Sequence, residues 1–141
     1  MIADLDRVAA EHDCMKLMVG YCVHADHGDA DKFAELFSED GAWVQGSGDE
    51  IRGRDALRAY INGRSPRVYT RHVITNMLVD VVDTTTATGV AYAVVFRDRD
   101  YGGSGAAPMR PPEAVVEYRD EFQRTGEGWK IQRRRSIPAF R

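Results

Sequence analysis

The chain has only two cysteines in 141 residues, Cys14 and Cys22, and they lie on one stretch of helical periodicity. Eight residues of helix rise about 12 Å, too far for a disulfide, so no disulfide framework is available. A reducing cytoplasm is the expected setting. No apolar run approaches membrane-spanning length. The opening residues, MIADLDRVAAEHD, are acidic and lack the apolar core of a secretion signal, so a cytoplasmic protein with no membrane partner is expected. Basic residues do not outnumber acidic ones, at 19 against 22. A formal net charge of -3 argues against a nucleic-acid partner, and the only basic run, Arg133, Arg134 and Arg135, falls inside a strand-like pattern. Phosphate-cradling glycine loops, nucleophile elbows, cysteine-pair metal sites and internal repeats are all missing.

What is present fits one globular domain spanning residues 1–141, since with 43% hydrophobic and 29% charged residues disorder is not the expectation. Helical periodicity runs from Ile2 to about His24, with polar Glu11, His12 and Asp13 marking a bend or break whose place the pattern leaves open. A short helix from Asp31 to Phe37 follows, stopped by Gly41. Short strands are expected at Ala42–Gln45 and Ile51–Arg52, and a helix at Arg54–Asn62 closed by Gly63. From Tyr69 the period changes to two. Thr70–Val82, Thr86–Arg99, Glu113–Arg124 and Trp129–Phe140 then read as four long strands, rich in Val, Thr, Tyr and Phe. Asp83–Thr85 and Thr125–Gly128 are hairpin turns. Asp100–Pro112, DYGGSGAAPMRPP, is either a lid or a mobile connection. Helices followed by hairpins give an α+β fold, with a curved antiparallel sheet wrapped around about three N-terminal helices.

Chemistry concentrates on an anomaly. Met15, Met18, Val19, Cys22 and Asp26 share one helix face, with Tyr21 beside them. Burial and the negative end of the helix dipole would both raise the pKa of such an acid, so it calls for a partner. His72 is the candidate, on a strand where alternation groups it with Ile74, Asn76 and Leu78. A histidine on that face is otherwise a hydrogen-bonded core residue. In the last strand the same alternation sets Arg133 and Arg135 beside Trp129, Ile131 and Ile137. Arg135 is then a structural ion pair, an interface residue or a substrate anchor. His24 and His27 form an H-x-x-H pair, but Asp26, Asp29 and Asp31 around it suggest a solvated turn.

Taken together, the helix carrying Tyr21 and Asp26, GDADKFAELFSEDG, GRDALRAYI, RHVITN and GWKIQRRR resemble the SnoaL-like branch of the NTF2-like superfamily over nearly the whole chain. The resemblance implies a cone-shaped α+β barrel. Within that superfamily, the scytalone dehydratase, bile-acid 7-alpha-dehydratase and lindane dehydrochlorinase group uses an Asp–His pair inside the cone. Asp26 and His72 match that pair, Tyr21 matches a tyrosine of the bile-acid enzyme, and Arg135 matches an arginine of the last strand. The second pocket histidine of scytalone dehydratase has no counterpart after His72, which argues against scytalone as the substrate.

The resemblance implies a cofactor-independent lyase of the dehydratase type, acting on a small hydrophobic or polycyclic molecule. His72 would be the base, Asp26 its orienter, Tyr21 a proton donor and Arg135 a stabiliser of negative charge. Trp43, Asn76 and Tyr118 are expected to line the pocket, and neither metal nor cofactor is required. An isomerase or polyketide cyclase would use the same proton abstraction. A non-catalytic module, like the small subunits of ring-hydroxylating dioxygenases, would share the fold alone. A homo-oligomer, trimer or dimer, is expected to cover the convex sheet face.

Overall fold

The computed structural model describes residues 2–141. Its first element, α1 (Asp4–His27), is one uninterrupted helix of 24 residues. The expected break near residue 12 does not occur, because His12 and Asp13 lie on the solvent side. Asp4 and Asp6 in the first turn and His24 and His27 in the last suit the helix dipole. Gly28 ends the helix in the left-handed conformation at φ 69°, its N–H bonding to the Ala25 carbonyl while the N–H of Asp29 reaches that of His24. This closure fixes the last turn, where Asp26 sits.

Asp29 then caps α2 (Ala30–Glu35) by accepting from the Lys32 N–H at 3.1 Å. The chain turns directly into β1 (Phe37–Val44), followed by β2 (Glu50–Arg52) and α3 (Arg54–Asn62). Four long strands complete it: β3 (Tyr69–Val81), β4 (Thr86–Asp98), β5 (Ala114–Thr125) and β6 (Gly128–Phe140). They form a six-stranded sheet in the order β2-β1-β6-β5-β4-β3. The sheet is mixed rather than antiparallel throughout: β1, arriving from the helices, pairs with β6 in parallel.

The sheet curves around α1, whose buried face is Cys14, Leu17, Met18, Tyr21, Cys22 and Ala25. That face is rotated from the expected one, leaving Val19 39% exposed. Phe33, Phe37, Leu57, Phe122 and Ile131 join it in one core.

Two bulges decide which side chains enter the cone. In β3 the register to β4 shifts between Thr75 and Leu78, and Asn76 takes φ 52°. In β6 the pairing passes from Phe122↔Ile131 to Glu121↔Arg133, leaving Gln132 without a partner. An extra residue inverts every later side chain relative to simple alternation. Hence Ile74 faces in before the first bulge and Met77 and Val79 after it, while Asn76 and Leu78 face out. After the second bulge Arg134 is buried and Arg135 is exposed.

The β4–β5 connection is tied down by an Arg110–Asp98 ion pair at 3.1 Å. The Tyr101 N–H also bonds to the Arg67 carbonyl at 2.8 Å. No helix among the described residues is long and apolar enough to cross a membrane.

Candidate active site

Asp26 leaves the last turn of α1 and meets the first half of β3. Its Oδ1 accepts from His72 Nδ1 at 2.5 Å and from the Thr70 hydroxyl at 2.9 Å, while Oδ2 accepts from the His72 backbone N–H at 2.8 Å. Side-chain exposure is 5% for Asp26 and 9% for His72, so both are shielded from bulk water. Burial pushes the Asp26 carboxyl up. The His72 side-chain bond and charge, the His72 N–H and the Thr70 hydroxyl outweigh that, and the carboxyl titrates below its ordinary value. A carboxylate only accepts, so Nδ1 carries the proton of the neutral ring and Nε2 keeps its lone pair. His72 lines a cavity of about 340 Å³ beside Tyr21, Trp43, Tyr60, Val95, Arg97, Tyr118 and Ser136. The arrangement suits proton abstraction by an oriented imidazole.

Of the residues singled out from the sequence, Asp26, His72, Tyr21, Trp43 and Tyr118 converge here. The rings of Tyr21 and Tyr118 lie 5.4 Å apart and those of Tyr21 and Trp43 5.8 Å apart. Trp43 is fixed by its indole N–H, which donates to the Ser136 hydroxyl at 2.9 Å. Burial raises the phenol pKa values of Tyr21 and Tyr118 above their ordinary range, although Arg134 pulls the other way, so both are neutral donors.

Asn76 and Arg135 do not converge. Asn76 is an exposed bulge residue, and Arg135 is exposed on the outer face with Leu78, Asp80 and Arg133. The cation inside the fold is Arg134. Its guanidinium lies 4.2 Å from the Tyr21 ring centre and 4.1 Å from that of Tyr118, and it bonds to both oxygens of Asp120. Burial alone would lower its pKa, but Asp120 raises it, and Arg134 stays charged.

Sequence reasoning missed Thr70, Asp120 and Arg134. Thr70 had a signal, since it stands two residues before His72 on the same strand face. Asp120 had one as well, an acid between Tyr118 and Phe122 on a buried face. Arg134 had none, because its orientation depends on the bulge. His27 bonds the Val23 carbonyl at 2.9 Å, and no group of three or more His, Cys, Asp or Glu among the described residues is arranged to hold a metal ion.

Residues 6–135 match the SnoaL-like domain. No curated protein matches the sequence. A function-unknown protein from Mycobacterium tuberculosis is similar at 30% identity and TM-score 0.79, over 96% of this chain and 76% of that one. An NTF2-like protein with a cystatin-like fold from Novosphingobium aromaticivorans is similar at 27% identity and TM-score 0.78, over 96% and 85%. The dehydrochlorinase LinA-type3 from Novosphingobium barchaimii, named for hexachlorocyclohexane, shares the fold at TM-score 0.79 and 16% identity, over 98% and 92%. With the SnoaL-like model matched across nearly all of its length, the chain belongs to the SnoaL-like family of the NTF2-like superfamily.

Proposed function

We propose that the protein is a cofactor-independent lyase of the dehydratase type. His72 Nε2 takes a proton from a carbon next to a carbonyl, and the C–H electron pair becomes the new C=C bond as the C–O bond to a neighbouring hydroxyl breaks. A proton from the Tyr21 or Tyr118 phenol turns the departing hydroxide into water. The imidazolium then returns a proton to the phenolate through solvent. Arg134, against both rings, favours the transient phenolate by its charge. It is a positioning residue, and it takes the part that Arg135 was expected to play. The observation that carries this reading is the 2.5 Å bond from His72 Nδ1 to Asp26, which leaves the other ring nitrogen free in a residue that lines the cavity. LinA-type3, a dehydrochlorinase of the same fold, lends support from elimination chemistry.

The cavity lies at the small end of the range for small-molecule sites. A substrate of one or two rings suits it better than a larger polycycle. The test is incubation with one- and two-ring β-hydroxy ketones in D2O, following loss of water by mass spectrometry and exchange at the α-carbon by NMR. Turnover falling by roughly 100- to 10,000-fold in a folded His72→Ala variant is the expected result. Undiminished exchange in that variant removes His72 from the mechanism. Exchange with no loss of water identifies an isomerase or cyclase using the same base.

A homo-oligomer belongs to the same proposal. Val73, Leu78 and Tyr92, 51%, 63% and 40% exposed, put apolar surface on the sheet face away from α1. Light scattering on the purified protein reads the assembly directly.

A further inference from the structure

Although the chain is acidic overall, the cavity containing His72 is lined, among the described residues, by three arginines, Arg64, Arg97 and Arg99, and by no carboxylate. Their carboxylate neighbours are already engaged. Arg97 and Arg99 share Glu113, with Arg99 Nε at 3.0 Å from Oε1. Asp98 pairs with Arg110 and Asp100 with Arg67. Arg97 and Arg99, both lining the cavity, therefore share the single carboxylate of Glu113. Arg64 has no acidic partner among the described residues. Its guanidinium donates to the Ala25 carbonyl at the end of α1, and its Nε–H finds no acceptor among the described residues. Buried donors left without acceptors are uncommon and call for an explanation.

The placement is directional. Val95 is the β4 partner of His72, and Arg97 lies two residues further along, on the same inward face. That spacing is about 7 Å of strand, the length of a small aromatic body. Val95 and Ala114 line the cavity level with His72, Val116 lies one step deeper, and Tyr60 and Val68 complete this apolar and aromatic lining. The site thus has a base in one wall, apolar and aromatic side chains level with it and below it, and a guanidinium fork toward the open end, where the Arg99 side chain is 69% exposed. Such a fork matches the two oxygens of a carboxylate.

We infer that the mouth is an anion site, and that the substrate carries a carboxylate held by Arg97 and Arg99, with Arg64 beside them, while its ring body extends down to His72. The inference deepens the proposed function by naming the substrate class, and it rests on that reading only in using the same cavity. Glu113 is the internal competitor for the fork, and the incoming carboxylate shares or displaces it. An ester or amide of the same body leaves the excess positive charge uncompensated and binds weakly.

Calorimetric titration with 2-naphthoate and cinnamate, against 2-naphthamide and cinnamamide, tests this on the intact protein. The acids are expected to bind at least about tenfold more tightly than the amides, with the preference shrinking as NaCl is raised. The double variant Arg97→Gln/Arg99→Gln is expected to lose the preference. Glu113→Gln, which frees the fork, is expected to tighten the acids several-fold, and it keeps the test open should the double variant fail to fold. His72→Ala is expected to keep the preference for acids while losing turnover. Turnover surviving in that variant would overturn the proposed base and leave the anion site standing. Equal binding of acids and amides, no binding of either, or weaker acid binding in Glu113→Gln would overturn the anion site whatever His72 does.

Discussion

Asp120 and Arg134 face each other across the β5–β6 ladder and join through two hydrogen bonds of 2.7 and 2.6 Å, with neither side chain reaching solvent. Removing one partner strands a buried charge. Asp120→Ala is therefore expected to cost about 3–5 kcal/mol, whereas a double replacement by apolar residues of similar volume should cost much less. Urea unfolding of the two single variants and the double variant measures this, and additive losses would show that the pair is not coupled.

Arg134 and Arg135 are adjacent in sequence and opposite in consequence. Arg135→Ala, on the exposed outer face, should change stability by no more than about 0.5 kcal/mol and leave turnover unchanged. Arg134→Met should lower turnover as well as stability, because the Tyr21 and Tyr118 rings lose the cation between them. Melting curves run beside the elimination assay separate the two effects.

This contrast also marks the limit of what the sequence disclosed. The helix order and the hairpins followed from apolar periodicity and turn residues. An acid in register with an apolar stripe called for a partner, and the resemblance to the Asp–His enzymes of the superfamily pointed to His72. Pocket-facing positions followed only up to the first irregularity in each strand. Asn76 and Gln132 each add one residue to a ladder, and alternation counts them as ordinary. Everything beyond them was therefore assigned to the wrong face, including Asn76 itself and Arg135. The parallel pairing of β1 with β6 was hidden for a related reason, since it joins segments about ninety residues apart and leaves no local pattern.

Acid should weaken the fold through Asp26. Its carboxyl is depressed in the folded state, so the stabilisation it gives is complete above the carboxyl's unfolded pKa and is lost as pH falls through the lower folded value. Asp26→Asn lacks that titration. The stability gap between wild type and this variant should therefore narrow on acidification, as read by urea midpoints across the acidic range. A gap independent of pH would mean that the carboxylate is not engaged as described.

Gly41 is a close-approach glycine. A Cβ there would lie 2.9 Å from the Ile131 carbonyl oxygen and 2.9 Å from Phe37 Cβ, neither of which moves easily. Gly41→Ala should therefore destabilise by about 1–3 kcal/mol. A chemical denaturation midpoint equal to wild type would show that β1 can shift away from β6.

The orientation of His72 can be read without a substrate. Long-range proton–nitrogen correlation spectra of histidine-labelled protein, recorded at a pH where the ring is neutral, report which nitrogen carries the proton. The Asp26 contact predicts a protonated Nδ1 with a strongly downfield proton that disappears in Asp26→Asn, and a bare Nε2 available as base. A neutral ring protonated at Nε2, unchanged by Asp26→Asn, would contradict the account.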